Sequence, residues 1–397
     1  MNKGVGRIRL ANTNLCTGCH ACSNICPSSS IVMTYNKYGF LQPSIKSESC
    51  IKCHLCENAC PILSDWKIIN NAAPSVYAAI INEERIRFLS SSGGAFWAFA
   101  SFVIQKGGVV FGAKFYNNKV IHGCTENIDG LQDFMGSKYI QSEIGSSYID
   151  VKQFLGLGRM VLFTGTPCQI AGLRHFLRRD YPNLYTIEIL CRGVPSPKVW
   201  EAYINKKSKE LQAKAIKDIR FRTKSPKYSS PIFSYVFRFS YLNEANEWAE
   251  YWEDCNKNPF FSYFLHHIFR SSCYDCKFRN SYSSSADLTI GDSITVSSLE
   301  NGKEKVSTIV VHTNKGRSFF ENIKSSITYE EQDPSIIDGF YKSALKIARW
   351  DKNFRPWRLA NYLALHFPLE RIRSVFEYTP LFIKTAVFIK QKLHLSN

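Results

Sequence analysis

Cys16-Thr17-Gly18-Cys19-His20-Ala21-Cys22-Ser23-Asn24-Ile25-Cys26-Pro27 and, further on, Cys50-Ile51-Lys52-Cys53-His54-Leu55-Cys56-Glu57-Asn58-Ala59-Cys60-Pro61 repeat one spacing, C-x2-C-x2-C-x3-C-P. A cubic iron–sulfur cluster has four iron corners, and each takes one thiolate. Three cysteines spaced by two residues wrap one face of the cube, and the cysteine before proline crosses to the other cluster. The spacing therefore assigns Cys16, Cys19, Cys22 and Cys60 to one 4Fe-4S cluster and Cys50, Cys53, Cys56 and Cys26 to a second. Structural zinc sites usually pair two separated C-x2-C knuckles, a pattern these runs do not follow. Between the runs, Ile31–Tyr35 and Phe40–Pro43 flank Asn36-Lys37-Tyr38-Gly39, which reads as a hairpin with glycine in the turn.

Composition bounds the rest. The chain has 397 residues, enough for two or three domains, and a net charge of +17. Its basic residues are scattered, with no basic-aromatic run, so nucleic acid is not expected as a partner. The charge favours an anionic ligand, an acidic protein partner or a membrane surface. Fourteen cysteines with no secretory leader argue for metal ligation in the reducing cytoplasm rather than disulfides. There is no apolar stretch of membrane-spanning length.

The fold class expected is α+β and α/β: a small two-cluster ferredoxin-like domain, a larger mixed α/β domain and a helical tail. The boundaries read as 1–69, 75–135, 136–330 and 331–397, with the two middle segments as the halves of the larger domain. Strands are expected at 76–80, 109–115, 120–122, 160–163, 184–190, 219–222, 233–241 and 309–312. Helices are expected from Ser90 to Gln105, at 147–155, 168–179, from Pro197, at 258–270, at 316–324 and over much of 355–394. The alternation of strand and helix argues for an α/β core with some parallel pairing. Within Ser374–Leu395, apolar residues alternate with Lys384, Lys390 and Lys392; this stretch suits packing on its own domain, a partner, or an anionic membrane surface. That leaves peripheral contact with the inner membrane face as the alternative to a purely cytoplasmic location.

Several stretches of the larger domain carry chemistry. Thr164-Gly165-Thr166-Pro167-Cys168-Gln169 joins a strand to a helix start, where free amides favour an anion or a thiolate. Ser90-Ser91-Ser92-Gly93-Gly94 offers small residues for close approach of a phosphate or a flat ring, or a plain helix cap. Lys138, in Gly136-Ser137-Lys138-Tyr139, meets a phosphate or solvent. Cys168, Cys191, Cys273 and Cys276 equal the number of thiolates that a third cluster needs. The alternative is that Cys168 and Cys191 are core residues and the C-x2-C pair Cys273/Cys276 binds a weaker metal or nothing. Cys124 and Cys255 read as ordinary thiols. His122, His175 and His266-His267 receive no ligand role, and no catalytic acid or base is assigned.

In this order, the cysteine-rich start, Ser91–Gly94, Gly136–Tyr139, Thr164-Gly165-Thr166-Pro167-Cys168-Gln169-Ile170-Ala171-Gly172-Leu173-Arg174, Cys191–Pro197, the Cys273/Cys276 pair and Ala286–Asp292 resemble the beta subunit family of the coenzyme F420 hydrogenases and dehydrogenases. The closer likeness is to its bacterial branch with a fused two-cluster ferredoxin, often met among surface-polysaccharide biosynthesis proteins. The resemblance spans roughly residues 10–330. It implies an FAD-dependent iron–sulfur oxidoreductase, passing electrons between its clusters and a deazaflavin or another organic substrate. It places Ser92, Gly93, Gly94, Ser137, Lys138, Thr164, Gly165 and Thr166 near the flavin, and Cys168, Cys191, Cys273 and Cys276 on the third cluster. A redox partner or low-potential donor and a small anionic substrate follow from it. The alternative is a relay subunit that hands electrons to a partner enzyme without a substrate site of its own. Two departures bear on the flavin and substrate sites: relatives often have Cys-His-Gly at Cys191-Arg192-Gly193, and an aromatic with Trp-Gly at Ser293-Ile294-Thr295.

Overall fold

The computed structural model describes residues 8–64, 69–70, 74–224, 235–255, 257–265, 268–279, 283–293, 297–299, 306–337, 356–367 and 369. The two cysteine runs fold alike. Each carries a one-turn helix, α1 (Ala21–Asn24) and α2 (Leu55–Asn58). Each helix is entered through a histidine in the left-handed region, His20 at φ 62° and His54 at φ 58°. Two residues before each histidine the backbone is left-handed again, through Gly18 in the first run and Lys52 in the second. Only the glycine takes that conformation without steric cost. Strands β1 (Ile31–Tyr35) and β2 (Leu41–Ile45) pair antiparallel from Ile31↔Ile45 to Tyr35↔Leu41. Gly39, at φ +76°, makes the expected turn.

A two-residue strand, β3 (Ile69–Asn70), pairs with β12 (Ser283–Ser284). Asn70 therefore belongs to a strand, where the sequence suggested the start of a linker. The larger domain is built on an eight-stranded mixed sheet, in the order β15-β4-β14-β13-β8-β7-β5-β6. Its members are β4 (Ser75–Ile81), β5 (Val109–Tyr116), β6 (Lys119–Thr125), β7 (Val161–Gly165), β8 (Leu184–Ile189), β13 (Leu288–Asp292), β14 (Ser307–Val311) and β15 (Ile327–Gln332). The four central strands β13, β8, β7 and β5 are parallel, and the outer ones pair antiparallel with their neighbours. Asn117 and Asn118, both at positive φ, form the tight turn between β5 and β6.

Helices cover both faces, as the parallel centre of the sheet requires. On one face α4 (Ala95–Gln105) and α9 (Asn314–Ile323) bury Phe99, Val103, Phe319 and Phe320. On the other, α5 (Ser147–Gly156) and α6 (Pro167–Leu177) bury Tyr148, Val151, Ile170 and Leu173, together with Cys19 and Ala21 of the N-terminal unit. A second sheet of β9 (Ala215–Lys224), β10 (Tyr235–Leu242) and β11 (Trp248–Asp254) packs against α7 (Pro197–Glu210) and α8 (Pro259–Leu265). Trp200 fills its core, and its indole donates to the Asn118 carbonyl at 2.6 Å.

Two helix expectations are corrected. Residues 90–94 are not the first turn of a helix: a short helix, α3 (Glu84–Leu89), precedes them, and α4 starts at Ala95. Gly94 at φ +92° cannot be a helical residue. Of the helix expected over 258–270, Pro259–Leu265 is helical, and residues 268–270 have no regular secondary structure. A helix Pro356–His366 lies in the expected tail, while Ser374–Leu395 falls outside the described residues. Among the described residues no helix is long and apolar enough to cross a membrane.

Two core histidines make the fold acid-sensitive. His122 stacks on Phe163 and donates from Nε2 to the Thr164 carbonyl, and His312 meets the Thr289 hydroxyl. Burial lowers both to about 4. The unfolded chain protonates near 6.5, so it binds protons that the folded chain refuses between there and about 4. Stability is full above pH 6.5 and is expected to fall by a few kcal/mol as the pH drops toward 4. Denaturant midpoints measured across that range check it, and His122→Gln should flatten part of the slope.

Candidate cofactor sites

Two cavities open in the N-terminal unit. Cys16, Cys19, Cys22, Cys56 and Cys60 line the first, of about 410 Å3 including solvent-open space. Cys26, Cys50, Cys53 and Cys56 line the second, of about 310 Å3 on the same measure. Each cavity thus brings three cysteines of one run to the proline-side cysteine of the other, the crossing that the spacing implies, and Cys56 borders both cavities. Among the described residues no three His, Cys, Asp or Glu side chains converge as a single metal ion would need. The thiols instead ring a wider space.

Several of the thiols sit where burial resists their ionisation. Burial pushes Cys19 up to about 12 against the amide of Ala21, with Cys60 and Cys16 adding to the rise. Cys22 is raised by burial and by four neighbouring cysteines, and Cys60 by burial and Cys16. At Cys26 burial is outweighed by the Ser28 hydroxyl and nearby amides, and the thiol is lowered. Sulfurs gathered so closely do not all become thiolates without a central positive charge, and coordinated iron supplies one. The donor set fits a thiolate-bound cluster at each cavity.

The third set comes from separate places in the larger domain. Cys168 is the second residue of α6, directly after β7, and Cys191 follows β8. Cys273 closes a 3-10 turn, Ser271–Cys273, and Cys276 lies in the turn beyond. The structure brings all four together. Burial and the other three thiols raise Cys168 well above its ordinary value, and burial carries Cys191 to about 11 and Cys273 to about 12. Arg279, 6% exposed, lies near this group, and its charge partly offsets the rise that burial gives Cys191, Cys273 and Cys276. Its Nη2 donates to the carbonyls of Arg192 and Cys273, at 2.6 and 3.3 Å. Its Nε and Nη1 have no partner among the described residues. Buried guanidinium N–H groups left open are costly, and an anionic group beside them would satisfy both their charge and their hydrogen bonding.

The residues expected near a flavin share one edge of the sheet, the carboxyl ends of the parallel strands where such folds bind ligands. Thr164 donates to the Phe111 carbonyl, and Gly165 ends β7. Thr166 caps α6 through a reciprocal pairing with Gln169, its hydroxyl 3.2 Å from the Cys168 sulfur. Ser92 donates to the Val306 carbonyl, and the Gly93 amide donates to the Ser307 hydroxyl at 2.9 Å. A Cβ on Gly93 would lie 2.3 Å from the Ala79 carbonyl, so backbone packing requires that glycine. The Ser137 amide donates to Ser91 at 2.7 Å, which joins the two small-residue motifs. Beside them Lys138 donates to the carbonyls of Met135 and Gly136. Burial and the nearby Arg220 lower it to about 7. Of the two departures, Ser293 donates its amide to Val306, and Ile294 and Thr295 lie outside the described residues. Cys124 is exposed, and Cys255 is buried with its thiol on the Phe221 carbonyl.

The sites are joined by one helix. Gly172 of α6 lies one turn beyond Cys168, about 6 Å along the axis. A Cβ there would stand 3.1 Å from the Cys19 sulfur and 2.9 Å from the Tyr148 hydroxyl. Farther along, His175 meets the Ser64 hydroxyl at 3.0 Å. The helix that carries a third-site cysteine at its start thus lies directly against the first cavity. Gly172 and Tyr148 carried no signal in the sequence that set them apart from other core residues. Gly172→Ala is expected to push Cys19 and Tyr148 aside and to cost ~1–3 kcal/mol; the denaturant midpoint followed by cluster absorbance measures it, and Gly156→Ala, with open space around its Cβ, serves as the neutral control.

Residues 158–336 match the family model for the C terminus of the Coenzyme F420 hydrogenase/dehydrogenase beta subunit. Residues 15–62 match the 4Fe-4S dicluster domain. No curated protein matches the chain. Among solved structures, a chain of the xenon-derivatised F420-reducing NiFe hydrogenase complex from Methanosarcina barkeri is similar at 13% identity and a TM-score of 0.43, covering 72% of this chain and 94% of that one. Residues 158–336 of the chain are thus similar to the C terminus of that beta subunit, and they follow an N-terminal segment similar to a 4Fe-4S dicluster domain.

Proposed function

We propose that this chain is an iron–sulfur flavoprotein oxidoreductase. Cys16, Cys19, Cys22 and Cys60 hold one 4Fe-4S cluster, and Cys50, Cys53, Cys56 and Cys26 a second. Cys168, Cys191, Cys273 and Cys276 hold a third, and the Ser92–Gly94, Ser137–Lys138 and Thr164–Thr166 segments hold FAD. Bound there, the clusters carry single electrons and the flavin exchanges them for two-electron chemistry on an organic acceptor. The observation that carries the reading is the contact of α6 with Cys19 one turn from Cys168, which sets the first cavity beside the third cysteine group.

The chain's own residues divide the work. Burial of Cys16, Cys19 and Cys56 shields the first cavity from water, and Arg279 offers its open N–H groups to the third cysteine group. Lys138 and Arg220 have carbonyl acceptors as their hydrogen-bond partners, and they concentrate positive charge beside Ser91 and Ser137. That is a suitable seat for a diphosphate, and the +17 net charge favours an anionic substrate. A redox partner protein exchanges electrons at the outer cavity, where Cys53 is exposed and Ile51 is 65% accessible.

Anaerobic purification tests the assignment. About twelve irons, as many sulfides and one FAD per chain are expected, and Cys168→Ser should retain only about eight irons. Eight irons in the unsubstituted chain would remove the third cluster, and a protein without flavin would remove the organic half of the reaction.

A further inference from the structure

Arg270 is among the largest fully buried side chains, 1% exposed. It belongs to the loop of the third cysteine group: its amide donates to the Val194 carbonyl, and its carbonyl accepts from the Cys273 amide at 2.9 Å. Its guanidinium, however, enters the N-terminal unit. Nε donates to the Cys16 carbonyl at 2.8 Å, Nη1 to Gln141 at 3.0 Å, and Nη2 to the Leu41 carbonyl. The Phe40 ring lies 5.3 Å away. The group also rests on Gly18, where a Cβ would come within 2.7 Å of Nη2. Side-chain bulk at Gly18 would displace it.

Every acceptor named is neutral, and among the described residues no carboxylate pairs with Arg270. A guanidinium this deeply buried needs a counter-charge. The first cavity provides one when its four thiolates hold a cluster, because that assembly is a net anion. Reduction adds one electron and makes it more negative, so a fixed neighbouring cation favours the reduced state.

We propose that Arg270 is the buried counter-charge of the first cluster, a positioning residue that clamps the Cys16 loop and holds that cluster's potential up. The inference rests on the reading of Cys16, Cys19, Cys22 and Cys60 as cluster ligands. It gives the cluster nearest the larger domain a stronger hold on an electron than its ligands alone would.

Redox titration followed by electron paramagnetic resonance tests it, with the first cluster identified as the signal lost in Cys19→Ser. Arg270→Gln removes the charge. Gln141→Glu sets a carboxylate against Nη1 and neutralises the charge while the bonds to Cys16 and Leu41 remain. Both are expected to shift the first cluster's one-electron equilibrium toward oxidation by at least tenfold, about 59 mV. Arg270→Lys should hold it near the original value, and the other clusters should not move. An unshifted first cluster in Gln141→Glu overturns the proposal, as does equal loss of that cluster from the Gln and Lys variants with Gln141→Glu unchanged. A parent protein with no signal sensitive to Cys19→Ser removes the cluster assignment itself, and the inference with it.

Discussion

A thiolate stripped of water needs a positive charge beside it, and this chain gathers many of its motif cysteines where burial disfavours the charged form. Cys19, Cys22, Cys168, Cys191, Cys273 and Cys276 are all raised by burial and by their own neighbours. Such sites are unfavourable for free thiolates and favourable for iron-bound ones. The same constraint accounts for the two arginines that ordinary core packing would exclude. Arg279 faces the third cysteine group with two open N–H groups, and Arg270 crosses from that group's loop to the first cavity.

The fold turns this local chemistry into a connected arrangement. Parallel strands deliver their loops to one edge, so residues as distant in sequence as Cys168, Cys191 and Cys276 meet there. Helix α6 then runs from that edge along the N-terminal unit. Gly172 permits the close approach, since a larger residue would collide with Cys19. The N-terminal unit therefore packs into the core of the larger domain, with Cys19 and Ala21 sharing a cluster with Tyr148 and Leu173.

What the sequence revealed depended on how local the signal was. Cluster ligation imposes short spacings, so the eight N-terminal cysteines stand out in one chain, and the crossing expected from them agrees with the linings of the two cavities. The hairpin after them was readable because Gly39 marks its turn. The third group was accessible only as a count of four cysteines, because strand order brings them together rather than spacing. Strands β13 and β15 went unrecognised: β13 is five residues long and largely buried, and β15 is a polar edge strand, so neither shows clean alternation. Ser90–Gly94 looked like a helix start, yet contacts from β4 and β14 set its conformation. Arg270 and Arg279 are two among fifty basic residues, and only their burial distinguishes them.

The central claim is that the three cysteine groups form one connected redox unit with the first cavity in the middle. Electron paramagnetic resonance of the fully reduced, air-free protein tests it directly. The account predicts that the first cluster's signal is broadened by magnetic coupling to both of the others, and that Cys168→Ser removes one coupling while leaving the second. Three independent, uncoupled signals, or a sample that holds zinc in place of iron, would contradict it.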